Sequence, residues 1–554
     1  MLRCLATFWM GWVLLSAAVP VVAQHHPHDG VDLASSLPIP LFNNLGTYHH
    51  PITTNSELAQ RYFNQGLRLI YGFNHDEAIR AFKEAARIDP RCAMAYWGIA
   101  HALGPNINLP IDPEREKAAY EAIQKAIALA RYASERERGY IEALATRYSL
   151  APDAERKALD KAYADAMREL VRQYPHDLDA ATLFAAALMD LNPWGYWTLA
   201  GQPQPGTLEI VTTLENVLQH NPDHPGAIHY YIHAVEASAQ PERALPYAKR
   251  LGELMPGAGH LVHMPSHIYM RVGLYADATE SNVRAVEVDE AYIEKETPQG
   301  IYPMMYYPHN IDFIWAAASM VGRSAEAIAA ARRLSDKMPA DVVRQMPPME
   351  PWTVMPVCAL ARFGKWDDIL KEPQPPADLH YATAMWHYAR GLAFIAKGQL
   401  DEAERERASV DATAKMIPAD RSVMGRNTAA DLLRIASLVV SGELAAKRGN
   451  TDEAIQNLQE AVRIQDQLQY TEPPPWYYPV RQSLGAVLLA ANRPAEAETV
   501  YHEDLRQNPE NGWSLFGLAQ SLRAQQKDKE AATVEQRFQK AWAQADISLS
   551  ASRF

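Results

Sequence analysis

Asn74-His75-Asp76-Glu77-Ala78-Ile79, followed by Ala81-Phe82 and closed by Asp89-Pro90, is the stretch on which the fold turns. Acidic residues open it, small and aromatic residues recur at helical spacing, and the proline stops it, having no amide to continue a helix and disfavouring helical backbone just before it. The phrase returns as Asp401-Glu402-Ala403-Glu404, as Asp452-Glu453-Ala454-Ile455, and as Ala495-Glu496-Ala497-Glu498 running to Asn508-Pro509. Turn prolines give a second register, Pro222 and Pro256 being 34 residues apart. Pro241 to Leu254 and Leu274 to Val286 carry apolar residues with the period of a helix that packs on its neighbours. Recurrence at this interval predicts stacked helical hairpins, none of which buries its apolar face alone.

The bulk numbers agree. A chain of 554 residues is too long for one compact core, and its low glycine content (27) and helix-forming composition predict an all-α array. The net charge of −13 includes no Lys/Arg-rich run, so no nucleic-acid partner is expected. Met1 to Ala23 has an early Arg3, an apolar stretch interrupted by Pro20, and small residues at Val21 and Ala23. That pattern reads as a secretory signal and predicts a periplasmic or secreted protein with no membrane span after cleavage. Beyond it only Cys92 and Cys358 remain, so disulfides are not the framework, although a single bridge stays open.

These phrases resemble the tetratricopeptide-repeat (TPR) superfamily from about Leu58 to Lys540, which implies a right-handed α-solenoid of about ten hairpins. Ala93 to Asn108 (AMAYWGIAHALGPNIN) and Gly259 to Gly273 (GHLVHMPSHIYMRVG) resemble stretches of a group of exported bacterial TPR proteins with no settled activity. The expected organisation is a signal (1–23), a His-rich segment (24–57), a first array (58–340), a Pro-rich joint with an irregular repeat (341–379) and a second array (380–554). Asn192 through Pro205 reads as an insertion with turn formers and aromatics, and Glu294 to Pro308 as an extension. Loops grafted on a solenoid are where binding functions gather.

Histidines carry the functional signal. His229, His233 and Glu236 lie three or four residues apart, as do His260, His263 and His267, so each set shares one helix face. His229 to His263 and His233 to His267 are both separations of 34, one repeat, which sets the rows side by side. By the resemblance, second, fifth and ninth places in a repeat line the concave groove. His260 and His309 fall second, His229, His263 and Asp312 fifth, and His233 and His267 ninth; His101 also falls ninth, beneath Trp97. Neutral imidazole is a common ligand for copper, zinc or iron. The expected core ligands are His229, His233, His263 and His267, with His260, His309, Glu236 and Asp312 as further ligands or supports.

Three readings follow: a groove that binds a transition metal together with a ligand or peptide; a metal-dependent oxidoreductase or hydrolase, with Glu236 or Asp312 as general base; and a metal-free scaffold for protein partners. Gln24-His25-His26-Pro27-His28, if freed by cleavage, offers an amine and a third-place imidazole suited to Cu²⁺ or Ni²⁺. Met264, Met304 and Met305 suit copper(I). Trp194, Tyr196, Trp197, Trp97 and Tyr230 are candidates to wall a ligand, and Tyr470 to Tyr478 with Arg481 is a further groove candidate. No Gly-rich phosphate loop or serine-nucleophile motif is present.

Overall fold

The structure, a computed structural model, describes residues 39–554 apart from Met424. The expected signal and the Gln24–His28 motif lie outside these residues. Helices follow one another from Glu57–Tyr71 to Asp528–Ala541, and strand structure is confined, among the described residues, to a short antiparallel ribbon pairing Ser422–Val423 with Asn427–Thr428 and to isolated bridges. Successive helices pair as antiparallel hairpins, Glu57–Tyr71 with His75–Ile88, His380–Ala396 with Leu400–Ala414, Ala429–Arg448 with Thr451–Gln465, and each hairpin stacks on the next. The chain is thus an all-α solenoid of TPR-like hairpins. No helix among the described residues is long and apolar enough to cross a membrane.

The opening phrase shows why the hairpins stack. A Cβ at Gly66 would meet the Phe82 ring at 2.6 Å, and one at Gly98 would meet it at 2.5 Å. Phe82 is therefore gripped by the helix before it and the helix after it, each with its side chain reduced to hydrogen. Near the other end Tyr501 sits likewise between Gly485 and Gly517, at 2.4 and 2.2 Å from the corresponding Cβ positions. An aromatic wedge between two glycines packs consecutive hairpins at interior density, which a larger residue would force apart.

Two main apolar cores run along the stack, one from Ile39 to Tyr306 and one from Val286 to Val534. The Pro-rich stretch forms short helices, Ala340–Gln345, Met355–Arg362 and Trp366–Ile369, whose Trp352, Met355 and Cys358 neighbourhood belongs to the second core. Cys92 and Cys358 are each buried and unpaired, so the possible bridge is not made. The helix expected over Leu274 to Val286 runs further, Tyr275–Glu296, and a turn of π-helix at Tyr302–Tyr306 leads into Tyr307–Met320.

The stack also curls until distant parts touch. The Tyr71 ring lies where a Cβ on Gly226 would be, 2.4 Å away, and Tyr48 bonds His224 at 2.8 Å. Trp513 Nε1 donates to the Ser319 carbonyl (2.8 Å), and Tyr470 reaches Glu236.

Candidate metal centre

Helix Pro225–Val235 carries His229 and His233 one turn apart, and Glu236 follows at its C-terminal end. The equivalent helix of the next hairpin is split into Gly259–His263 and Pro265–Val272, because Pro265 has no amide to give the preceding turn. It supplies His260, His263 and His267. Helix Tyr307–Met320 supplies His309. Neighbouring imidazole centroids lie 4.7 to 6.5 Å apart, so the six rings form one cluster.

Four rings have their Nδ1 atoms held by acceptors. His229 Nδ1 lies 2.6 Å from the Tyr71 carbonyl oxygen, His233 Nδ1 2.7 Å from Glu236 Oε1, and His267 Nδ1 2.6 Å from Glu236 Oε2. His263 Nδ1 lies 2.6 Å from Asn282 Oδ1, and the Asn282 amide is oriented because its Nδ2 donates to the Ala278 carbonyl at 2.7 Å. Each Nδ1 therefore carries the hydrogen, and each Nε2 presents a lone pair. Those lone pairs face one another: His229 Nε2 is 3.1 Å from His233 Nε2, and His263 Nε2 is 2.8 Å from His267 Nε2. Two nitrogens bound at about 2.0 Å to one ion, at angles from square to tetrahedral, would stand roughly 2.8–3.3 Å apart.

Protons are a poor way to resolve this. Burial drives the pKa of His229, His260 and His263 well down, and the neighbouring imidazoles push the same way. His309 is lowered to about 3, again by burial first. His233 is lowered by burial although Glu236 opposes it. Glu236 is itself depressed: burial would raise it, but His267 and His233 hold its carboxylate ionised.

Donor atoms of His229, His233 and His260 form one compact set and those of His263, His267 and His309 a second, the atoms of each set within 4.8 Å of one another. His260 completes the first set with neither ring nitrogen hydrogen-bonded. Glu236 stands between the sets, one oxygen to each. Aromatic rings enclose both: Phe73 is stacked with His260 (5.4 Å) and His233 (6.0 Å), Trp194 meets His233 edge-on at 5.1 Å, Tyr306 lies 4.7 Å from His260, and Phe313 lies 4.6 to 5.0 Å from His263, His267 and His309.

No family model matches the chain, and no curated protein does. Among solved structures, a human IFIT1 dimer with m7Gppp-AAAA is similar at 13% identity, with 88% of this chain and 91% of that chain covered and a TM-score of 0.33. Yeast Tom70 is similar at 12% identity, with 87% and 99% covered and a TM-score of 0.33. The TPR domain of P58(IPK) is similar at 13% identity, with 85% and 99% covered and a TM-score of 0.23. At that distance these likenesses carry no argument about what this chain binds.

Several sequence expectations need correction. The cluster does not line an open groove. His229, His233, His260, His263, His267 and Glu236 are all 0–2% exposed, and only His309 is partly exposed. The curl of the solenoid brings Tyr71, Phe73 and Tyr470 over them, contacts that a local repeat register does not contain. Asp312 is outside the cluster, since its oxygens accept from Trp315 Nε1 (2.9 Å) and Trp352 Nε1 (2.8 Å). Burial raises its pKa to about 7. Glu236 has both oxygens occupied by imidazole N–H groups, so it orients the rings and is not a free base. His101 stacks on Trp97 (5.2 Å) apart from the six, and Met264 is buried in the first core. Of the aromatic candidates Trp194 and Tyr230 touch the cluster, whereas Trp197 bonds the Ala234 carbonyl and Tyr196 the Met189 carbonyl.

Sequence reasoning passed over Tyr71, Phe73, Asn282 and Phe313. Phe313 alone had a readable signal, four residues after His309 on the same helix face. Tyr470, flagged as a groove residue, has its hydroxyl 2.5 Å from Glu472 Oε1 and 3.1 Å from Glu236 Oε2. A smaller knot beside the site, also missed, has Asp179 accepting from Tyr71, Tyr48 and His50.

Proposed function

We propose that the chain is a metalloprotein whose six imidazoles hold two transition-metal ions, His229, His233 and His260 binding one and His263, His267 and His309 the other. The observation that carries this reading is the two pairs of Nε2 atoms at 3.1 and 2.8 Å, each ring held through Nδ1 so that in its neutral form the Nε2 lone pair converges with its neighbour's on one point. Glu236, Asn282 and the Tyr71 carbonyl are then the outer supports that orient the ligands, as carboxylates and carbonyls do in many histidine sites.

The donor set supports copper first, zinc second and iron third: it is all imidazole, with no carboxylate or thiolate among the proposed ligands. Export, as the N-terminal sequence suggests, would be consistent with a copper protein of an oxidising compartment. Three imidazoles per ion leave a position open on each. Of the two carboxylates expected as general base, Glu236 is committed to two imidazoles and Asp312 to two indoles; Glu472, beside Glu236, raised by burial to about 7 and with Oε2 unpartnered, is the carboxylate left to serve hydrolysis there, while electron transfer or oxygen chemistry needs none. His309, the one partly exposed ring, marks the side from which a ligand reaches the centre.

Elemental analysis of the purified protein tests this, with expected content near two ions per chain. His263→Ala/His267→Ala should lose the ion of its set, and an unchanged metal content in that variant would remove the proposal. Oxygen uptake by the copper-loaded protein, abolished by a chelator, would separate an oxidase from a binder.

A further inference from the structure

A second site stands apart from the imidazoles. Helices Met355–Arg362, His380–Ala396, Ala429–Arg448 and Arg481–Ala490 contribute to a cavity of about 430 Å³, within the range of small-molecule sites. Trp366, Leu392, Ile395, Val439 and Val487 give it apolar walls. Arg362, also lining it, is 4% exposed. Its guanidinium lies 3.8 Å from the centre of the Trp513 ring and 5.3 Å from that of Tyr478. Its Nε and Nη2 have no hydrogen-bond partner, and among the described residues no carboxylate pairs with it.

That is unlike the other buried arginine and the arginine beside it. Buried Arg147 is matched by Asp160 at 3.0 Å and Asp190 at 2.7 Å, and Arg553, at the same cavity, by Glu443 at 2.8 Å. A buried guanidinium with no direct ion pair is costly, and burial, offset in part by neighbours that include Asp504, lowers Arg362 only to about 10, so the charge persists at neutral pH.

We propose that this cavity binds a small organic carboxylate with an apolar or aromatic body, the carboxylate drawn to Arg362 and the body along the apolar walls. A guanidinium is the side chain best matched to a planar carboxylate. Arg362 is shielded from solvent, where a charge-assisted pair is strongest. Of the cations lining the cavity, Arg553 is already paired with Glu443 and Lys447 is exposed to solvent, so Arg362 is the buried one left to balance a single charge. A phosphate would carry a second toward Glu443, which lines the same cavity and whose Oε1 has no hydrogen-bond partner.

Isothermal titration calorimetry on the full, metal-loaded chain tests the site with 3-phenylpropionate, octanoate and indole-3-acetate. 3-Phenylpropanol serves as a neutral analogue and inorganic phosphate as an anion without a body. At least one carboxylate should bind at a single site, with affinity at least tenfold above the alcohol, and phosphate should not bind. Arg362→Gln should abolish binding with metal content unchanged. Leu392→Trp, which fills the cavity from a partly exposed position and leaves the guanidinium in place, should also abolish it, and decides the matter if Arg362→Gln fails to fold. No binding by any of the three carboxylates, equal binding of the alcohol, or binding retained in Leu392→Trp would each overturn the proposal. So would tighter binding of an amidated peptide, which would assign the cavity to a protein partner.

Discussion

Two buried polar knots, one midway along the solenoid and one near its C-terminal end, are built alike and finished differently. Near the C-terminal end Asp504 receives Ser514 Oγ at 2.5 Å, Asn508 at 2.9 Å and Asn511 at 3.1 Å, so an acceptor meets donors from the end of its own helix and the start of the next. Around Glu236 the outer ring is closed in the same way, carboxylate to N–H, but the inner atoms are acceptors facing acceptors. A satisfied network specifies one packing and needs nothing more, whereas a network with converging lone pairs is complete only with a cation inside it. The contrast separates a structural polar core from a candidate metal centre on the same scaffold.

The largest break in this comparison should come from Glu236→Leu, which strips the acceptor from two buried imidazoles at once. Removing one partner from a buried charged network costs roughly 3–5 kcal/mol, read by denaturant melts, and metal should be lost with it. Stability within the error of the parent would mean that the carboxylate organises nothing.

Acid should divide the knots next. In the metal-free protein folded His229, His233, His260, His263 and His309 hold protons less readily than they do unfolded. Stability should therefore be full above the unfolded value of about 6.5 and fall as pH drops toward the lowered folded values, by about 1.4 kcal/mol per pH unit for each affected ring. Glu236, whose folded pKa is also depressed, adds to the loss below about 4.3. Melting temperature against pH, with and without copper, should show this slope steepened by metal; a flat profile between pH 6.5 and 4 would contradict the assigned tautomers.

Asp504→Ala should cost about 1–3 kcal/mol and leave metal content untouched. Asn282→Ala sharpens the contrast from the other side, weakening metal about 10–100-fold in a competition titration with only a small change in melting. Asp312→Asn should leave metal content unchanged, since the two indoles that hold it belong to the neighbouring core.

Much of this was legible in the sequence, and the limits are physical. Helical hairpins follow from Asp89-Pro90 and from the small and aromatic residues on one face, because such signals act within a turn or two. The side-by-side rows of His229/His233 and His263/His267 follow from the 34-residue interval, and the structure brings His260 and His309 to them. What could not be read is burial. It comes from Tyr71, 158 positions before His229, and Tyr470, 234 positions after Glu236, and no periodicity encodes contacts at such separations. Asp312 departs for a related reason: its place in the repeat points to the groove, but Trp352 from the irregular Pro-rich stretch takes its second oxygen.

One carbonyl has a larger role than its size suggests. The Tyr71 oxygen selects which nitrogen of His229 points inward, yet it belongs to the first hairpin of the array, while the hydroxyl that reaches Glu236 comes from nearly four hundred positions further on. A centre dependent on both cannot be excised as a cassette of three repeats or grafted into another solenoid. It comes into being only when the first hairpin and the segment around Tyr470 have both closed over it, which makes loading with metal a report on assembly of the chain from Tyr71 to Tyr470.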